Sequence, residues 1–318
     1  MKNNFKFYGK CFLPIIAGII SILNYYLVPD FGSNTKTNIY PALIGIFIII
    51  TIIKFIVGFF KKPVLEKLSY KGPFNTAVII LLMILDIMTL KTGFLEMPFF
   101  PWPDNIINAI ITDRKILFSS TCNSLLLLLT GYFFGVLVGF ISGLFAGYSE
   151  KVNYWMAPIL RILGPIPSIV WLSIIFILFG SRMFEGSVFL IALGTWYPVT
   201  FSTLTGIRNV KKTYFELADI MGANKVQKMF KIAIPAASPN IFQGLTQGMS
   251  VACTSLMIAE MLGVESGLGW YITWQKGWSN FSGVFGATFI ICVIFLSITK
   301  LLNIIKSKVL IWQEGFIR

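Results

Sequence analysis

Long apolar runs separated by short polar stretches dominate the chain. Runs at 11–28, 39–60, 74–90, 119–147, 155–180, 185–207, 240–262 and 283–305 each approach the roughly 20 residues that a helix needs to cross a hydrocarbon core. The pattern predicts an all-α polytopic membrane protein with about eight transmembrane helices. The first run follows Lys2, Lys6 and Lys10 but has no small-residue cleavage site, so it is expected to be a retained helix and not a removed signal.

One polar stretch breaks the rhythm. Residues 208–240 lie between two apolar runs, and within them ELADIMGANKVQKMFKIAIP (216–235) carries two helix signals. Thr213 and Glu216 have capping-box spacing, and Tyr214, Leu217, Ala218 and Met221 share one helical face. Gly222 suits a left-handed helix end. Asn224 and Gln227 start a second helix, which Pro235 is expected to stop, with Ser238 and Pro239 capping the next span. The expectation is a cytoplasmic helix-turn-helix with an apolar face in need of a partner. Glu216 alone is a cap rather than a catalytic group.

Composition narrows the solvent and the chemistry. The 318 residues are 56% hydrophobic and only 12% charged, more apolar than a soluble domain requires. The net charge of +13 comes from basic residues spread over loops, which fits positive-inside bias and argues against nucleic acid as a partner. With eight spans, 18 of the 26 Lys and Arg residues fall on one side, together with both termini and the 208–240 loop. That side is expected to be the cytoplasm, in a multi-pass cell-membrane protein. No His is present, so His-based metal sites and acid–base chemistry are excluded. Cys11, Cys122, Cys253 and Cys292 lie in apolar runs without metal-type spacing. No catalytic or metal residue is expected.

Small and ring-bearing residues add detail. Gly131, Gly135, Gly139, Gly143 and Gly147 form a row at spacing four, which suits a close, slanted helix crossing, and Gly244, Gly248 and Ala252 repeat it. Pro158, Gly164, Pro165 and Pro167 predict a kinked or broken fifth span beside a solute route. Pro165, Pro167 and Trp171, with Met249, Cys253 and Ser255 of the seventh span, are the candidate pathway residues. Lys54, Asp86, Arg161 and Glu260 are the charges in or near spans; Lys54 and Arg161 can snorkel, and Glu260 is placed near the outer interface. Trp270, Trp274 and Trp278 recur every four residues, as in a helix at the outer headgroups or a contact surface for an external partner.

The 216–235 pattern resembles the signature of permease subunits of binding-protein-dependent ATP-binding-cassette importers. Glu216, Ala218, Gly222, Ile232 and Pro235 stand at matching positions, while Leu217 and Ile234 replace an Ala and a Leu. PWPD around Trp102, GPIPSIVW (164–171) and AEMLGVESGLGW (259–270) resemble the branch importing nitrate, taurine and aliphatic sulfonates, which also includes importers of vitamins and their precursors. In that branch an Arg usually precedes the first Pro of the second motif; here Gly164 stands there. The resemblance covers about 100–318 and implies a permease core at 99–318 after three spans at 1–98, two of them additional. It implies Glu216, Leu217, Ala218, Gly222, Ile232 and Pro235 as the contact for separate ATPase subunits that bind ATP and Mg, so no cofactor is expected in this chain. It also implies a second permease subunit and an extracytoplasmic solute-binding protein. The chain has no GxxxxGK[ST] phosphate loop, so ATP hydrolysis must lie elsewhere. The alternative is an ATP-independent secondary carrier or channel, whose inverted repeats and paired intramembrane carboxylates are not evident. A membrane-embedded enzyme would need clustered acid–base groups, which the sequence does not supply.

Overall fold

The computed structural model describes residues 2–32 and 36–311, with side chains from residue 7 onward. The side chains of Lys2 and Lys6, and Arg318, which enter the charge count, lie outside the described residues. All regular elements among the described residues are helical. They are α1 (Lys2–Leu27), α2 (Ile39–Phe60), α3 (Lys62–Asp86), α4 (Pro103–Thr112), α5 (Arg114–Tyr148), α6 (Glu150–Leu163) and α7 (Ser168–Phe179). There follow α8 (Met183–Arg208), α9 (Lys212–Ile220), α10 (Lys225–Lys228), α11 (Ile234–Leu262), α12 (Leu268–Gly277) and α13 (Phe281–Val309). Wide π turns extend α3 through Ile87–Lys91 and join α10 to α11 through Met229–Ala233.

The count of eight spans is not confirmed by length and apolarity alone. Among the described residues, six helices are long and apolar enough to cross a membrane, and seven if α6 and α7, bent by 103°, form one broken span. The expected seventh span is the 29-residue α11, whose Gln243, Gln247, Ser250, Thr254 and Glu260 lower its apolarity. The polar stretch after α2 is not a loop either. A single residue, Lys61, separates α2 from α3, because Pro63 starts the next helix at once.

The chain packs as two units. One comprises residues 1–114 and 275–287. Its core joins Ile15, Tyr25, Tyr40, Ile44, Ile48, Leu90 and Trp102. Asn38, the N-cap of α2, gives no side-chain cap. Asp104 of α4 replaces it from 65 residues away. Its carboxylate accepts from the N–H groups of Thr37 (2.7 Å), Ile39 (2.8 Å) and Tyr40 (2.9 Å) and from the Thr37 hydroxyl (2.8 Å). Burial pushes Asp104 upward, but these bonds outweigh it and hold the carboxyl below the usual range. The enclosed Lys91 ammonium donates to the carbonyls of Tyr25 (2.8 Å) and Val28 (2.7 Å) and to Asp30 (2.7 Å). Asp30 also pairs with Lys36 at 2.6 Å. Burial opposes ionisation of Asp30, yet bonds from Lys36 and Lys91 lower its pKa.

The other unit comprises 115–274 and 288–318 and centres on α8. Leu190, Ile191, Thr195, Val199, Thr200 and Thr203 are buried along this helix. The α5 glycine row packs against it for its whole length. A Cβ added at Gly131 would meet the Val188 carbonyl (3.1 Å), at Gly135 the Ala192 carbonyl (2.6 Å), at Gly139 the Trp196 carbonyl (3.0 Å), at Gly143 the Thr200 carbonyl (2.6 Å) and at Gly147 the Leu204 carbonyl (3.2 Å). The partner positions also advance by four, so α5 and α8 run parallel in constant register over about 24 Å. Five glycines forgo about 2.5–5 kcal/mol of helix propensity relative to Ala, so backbone contact is what this row secures. On the opposite direction of travel, Gly244 and Gly248 of α11 meet Ser202 and Val199. Ser142 bridges α5 and α8 by accepting from Trp196 Nε1 (3.0 Å) and lying 2.9 Å from the Thr200 hydroxyl. The result is a three-helix scaffold of α5, α8 and α11.

Candidate functional site: a broken helix, a buried clamp and an apolar groove

The fifth apolar run divides at GPIP. Pro165 and Pro167 cannot donate to the preceding turn, so α6 ends at Leu163 and α7 begins at Ser168, 103° away. Neither piece alone covers the hydrocarbon core: α6 rises about 21 Å and α7 about 18 Å, against about 30 Å needed. Met156 and Leu160 of α6 pack with Ala146 and Leu204, near one end of the scaffold. Leu172 and Ile175 of α7 pack with Leu190 and Ala259, toward its other end. The break therefore falls midway along α8, where irregular backbone is tolerated only beside protein or a water-filled space.

A cavity of about 450 Å³ opens at the break. Gly164, Ile166, Ser168 and Trp171 line it from the broken helix, Gly194, Trp196 and Tyr197 from α8, and Gln247 and Ser250 from α11. Ser255 of α11 donates to the Ser168 hydroxyl at 3.0 Å, which leaves the Ser168 O–H free to donate. Gly194 lets this pair form, since a Cβ there would lie 2.8 Å from Ser255 Oγ.

At the far end of α11, Glu260 is 1% exposed. Its carboxylate accepts from Ser124 Oγ (2.6 Å) and from the Gly269 N–H (2.8 Å), and Ser124 Oγ in turn accepts from the Leu268 N–H (2.9 Å). The loop after α11 folds back over this carboxylate. Gly267 makes that possible, with φ +109 and no room for a Cβ beside Glu260. The expectation that Glu260 reaches the interface is therefore corrected: it is a buried clamp joining α5, α11 and the start of α12. Its sequence signal was the GLG that follows at 267–269. Of the three tryptophans expected on one helix, Trp270 and Trp274 lie on α12 and stack with centroids 5.6 Å apart, while Trp278 falls in the turn after the helix ends at Gly277.

The 208–240 stretch folds as a helix-turn-helix whose second limb does not stop. Thr213 and Glu216 form no capping box: Lys211 is the N-cap and gives no side-chain bond. The box at Asn224 and Gln227 does form, with bonds of 2.8 and 2.9 Å. Gly222 takes φ +72, and the Ala223 N–H bonds the Ala218 carbonyl while the Gly222 N–H bonds that of Asp219, a Schellman end. Lys228 pairs with Asp219 across the turn. Pro235 does not end a helix. It sits in the first turn of α11, where its missing N–H costs little, and the π turn before it makes room for the ring. Ser238 bonds back to the Pro235 carbonyl inside that helix and caps nothing.

Phe215 and Ala218 anchor α9 to the scaffold. Glu216 and Leu217 are exposed, and Ile220 and Met221 are 84% and 85% exposed. Tyr214, Leu217, Ala218, Met221, Ile232 and Pro235 line an open groove of about 520 Å³.

The pathway candidates separate by position. Trp171 lines the midway cavity, and the exposed Pro165 and Pro167 alternate with its lining residues without lining it themselves. Met249 and Cys253 are enclosed with Leu127, Leu128 and Ile191, on the scaffold side of α11. Ser255 is buried and reaches the cavity through Ser168. Ser168, Tyr197, Gln247 and Ser250 were not anticipated. The spacing of Gln247, Ser250 and Val251 on one helical face was the available signal.

The family described as binding-protein-dependent transport system inner membrane component matches residues 135–310. The putative aliphatic sulfonates transport permease of Bacillus subtilis is 29% identical over 186 residues, covering 58% of this chain and 67% of its own length. The formylaminopyrimidine transport permease of Halalkalibacterium halodurans is 26% identical over 245 residues, covering 75% of this chain and 97% of its own. A crystal structure of an amino acid ABC transporter shares the fold, with TM-score 0.55 at 21% identity over 63% of this chain and 97% of that one. The matched region contains the glycine row from Gly135 onward, the broken helix, the apolar groove and Glu260 with the loop that folds over it, and with these relatives it identifies the chain as a member of the inner-membrane permease family of binding-protein-dependent ABC importers, in the branch of the aliphatic-sulfonate and taurine permeases.

Proposed function

We propose that this chain forms the translocation path of an ATP-driven importer of a small solute and is driven by a separate ATPase. The groove beside α9 is the observation that carries this reading. Tyr214, Leu217 and Met221 stand exposed along it beside a stiff, capped turn, and an exposed apolar patch of this kind marks a surface that a partner covers. Glu216, Leu217, Ala218, Gly222, Ile232 and Pro235 make the contact, and ATP and Mg stay on the partner. A second permease subunit completes the path, and an external solute-binding protein delivers the cargo. The charge distribution supports cytoplasmic termini and a cytoplasmic groove.

Mechanically, α5, α8 and α11 form the body that receives the push, because α10 runs through the π turn into α11 without a joint. The broken α6–α7 pair is the part that yields, and the cavity at its break is the route. The cargo belongs to the kinds named for the relatives: an organic or inorganic anion, or a vitamin precursor.

Reconstitution tests this reading. Uptake into proteoliposomes should require ATP and a co-purifying ATPase. Leu217→Glu with Met221→Glu should release the ATPase and abolish uptake while the permease still folds. ATP-independent uptake at the wild-type rate would leave the secondary-carrier alternative standing instead.

A further inference from the structure

The midway cavity has a chemistry of its own. Among its 14 lining residues none is Asp, Glu, Lys or Arg. The nearest basic residue in sequence, Arg161, is exposed and outside the lining. Position 164, at the mouth of the break, has no side chain, and Tyr197 occupies the space that one would need: an added Cβ would lie 2.5 Å from the ring. Glu260, the buried carboxylate of this unit, is engaged by Ser124 and Gly269. The wall of the cavity that this chain supplies thus presents no counter-charge to an ionic cargo.

It presents flat rings and neutral hydrogen-bonding groups. Trp171, Trp196 and Tyr197 supply three aromatic side chains. Trp196 has its N–H committed to Ser142 and can offer only its ring. Tyr197 lies stacked on Phe201, which holds its plane. Opposite the broken helix, the Gln247 carboxamide carries both a donor and an acceptor. The Ser168 O–H, free because Ser255 donates to its oxygen, adds a directed donor. Removing an ion from water with no paired charge is costly, whereas a neutral ring loses little and gains stacking surface.

We infer that the cavity selects an uncharged, flat heteroaromatic solute, stacked on Trp171 and Tyr197 and hydrogen-bonded by Ser168 and Gln247. This inference rests on the cavity being the solute route. It separates this chain from relatives named for nitrate or bicarbonate import.

The test uses the purified full-length chain in detergent and its tryptophan fluorescence. Probes are cytosine and nicotinamide, neutral rings at pH 7.5, against sodium nitrate and sodium methanesulfonate. The expected result is saturable quenching by at least one ring probe and none by either anion. The midpoint should rise about tenfold in Ser168→Ala and in Gln247→Leu, the effect of losing one directed hydrogen bond. A Trp171→Phe variant should lose most of the signal. Saturable quenching by either anion, ring quenching indifferent to both variants, or no response to any probe would each overturn the inference. An anion response would do so while ATP-dependent uptake persisted, so the solute class and the permease reading fail separately.

Discussion

Two neighbouring parts of the same unit solve opposite problems. Along the α5–α8 contact, five glycines let two helices touch backbone to backbone in constant register. Along α6–α7, two prolines forbid a continuous helix, and the gap is left as a cavity. The first arrangement has no alternative register, because a shift by one residue would drive Cβ atoms into carbonyls. The second is held chiefly by small apolar clusters and one hydroxyl pair, Ser255 to Ser168. Stiffness and compliance therefore lie side by side, and the difference is written in which residues lack side chains and which lack an N–H.

The comparison breaks most severely at the glycine row. Gly135→Leu places a Cβ 2.6 Å from the Ala192 carbonyl, where neither backbone can yield. Folded protein recovered by size exclusion should fall at least about tenfold, whereas Gly45→Ala, with open space around it, should be recovered normally. Glu260→Ala should come next. It leaves the Gly269 N–H and Ser124 without their acceptor, at about 3 kcal/mol, visible as a lower melting temperature. A wild-type melting curve in that variant would show that the clamp is dispensable.

Changes at the break should do the reverse. Pro165→Ala with Pro167→Ala lets α6 and α7 approach one helix, so uptake should fall more than about tenfold while thermal stability holds or rises. Loss of stability with uptake intact would remove the distinction between the two parts. A smaller effect is expected at the turn. Gly222→Val strains a φ of +72 by about 1–2 kcal/mol, which should loosen ATPase coupling before it unfolds anything. Normal coupling there would argue that the turn is not rigid in use.

The smallest effect is with pH. Asp104 and Asp30 both ionise more readily folded than unfolded, so their contributions are complete above the ordinary Asp pKa of about 3.9 and fade as pH falls through the lower folded values. Melting should not change from pH 7.5 to 5.5 on their account and should drop only below about pH 4. Asp104→Asn should flatten that drop.

Much of this was legible in sequence because it rests on local chemistry. The glycine row, the proline break, the Asn224 box and the left-handed Gly222 follow from residues within one turn of each other. What escaped depends on distant partners. The α8 face that receives the glycines reads as ordinary Thr and Val. Asp104 caps a helix 65 residues earlier, and no spacing rule links them. Glu260 looked like an interfacial carboxylate because its acceptor role exists only once the loop folds back onto it. Pro235 looked like a stop, yet a widened turn absorbs it, and the sequence carries no mark of π geometry.

The most direct test places spin labels in a background without native cysteines and measures distances with and without ATP in the assembled transporter. One pair sits on the exposed positions Phe133 of α5 and Phe201 of α8, the other on Trp155 of α6 and Ile177 of α7. The account predicts an unchanged α5–α8 distance and an α6–α7 change on the order of one helical turn, about 5 Å. An α6–α7 distance that ignores ATP, or an α5–α8 distance that follows it, would contradict the account.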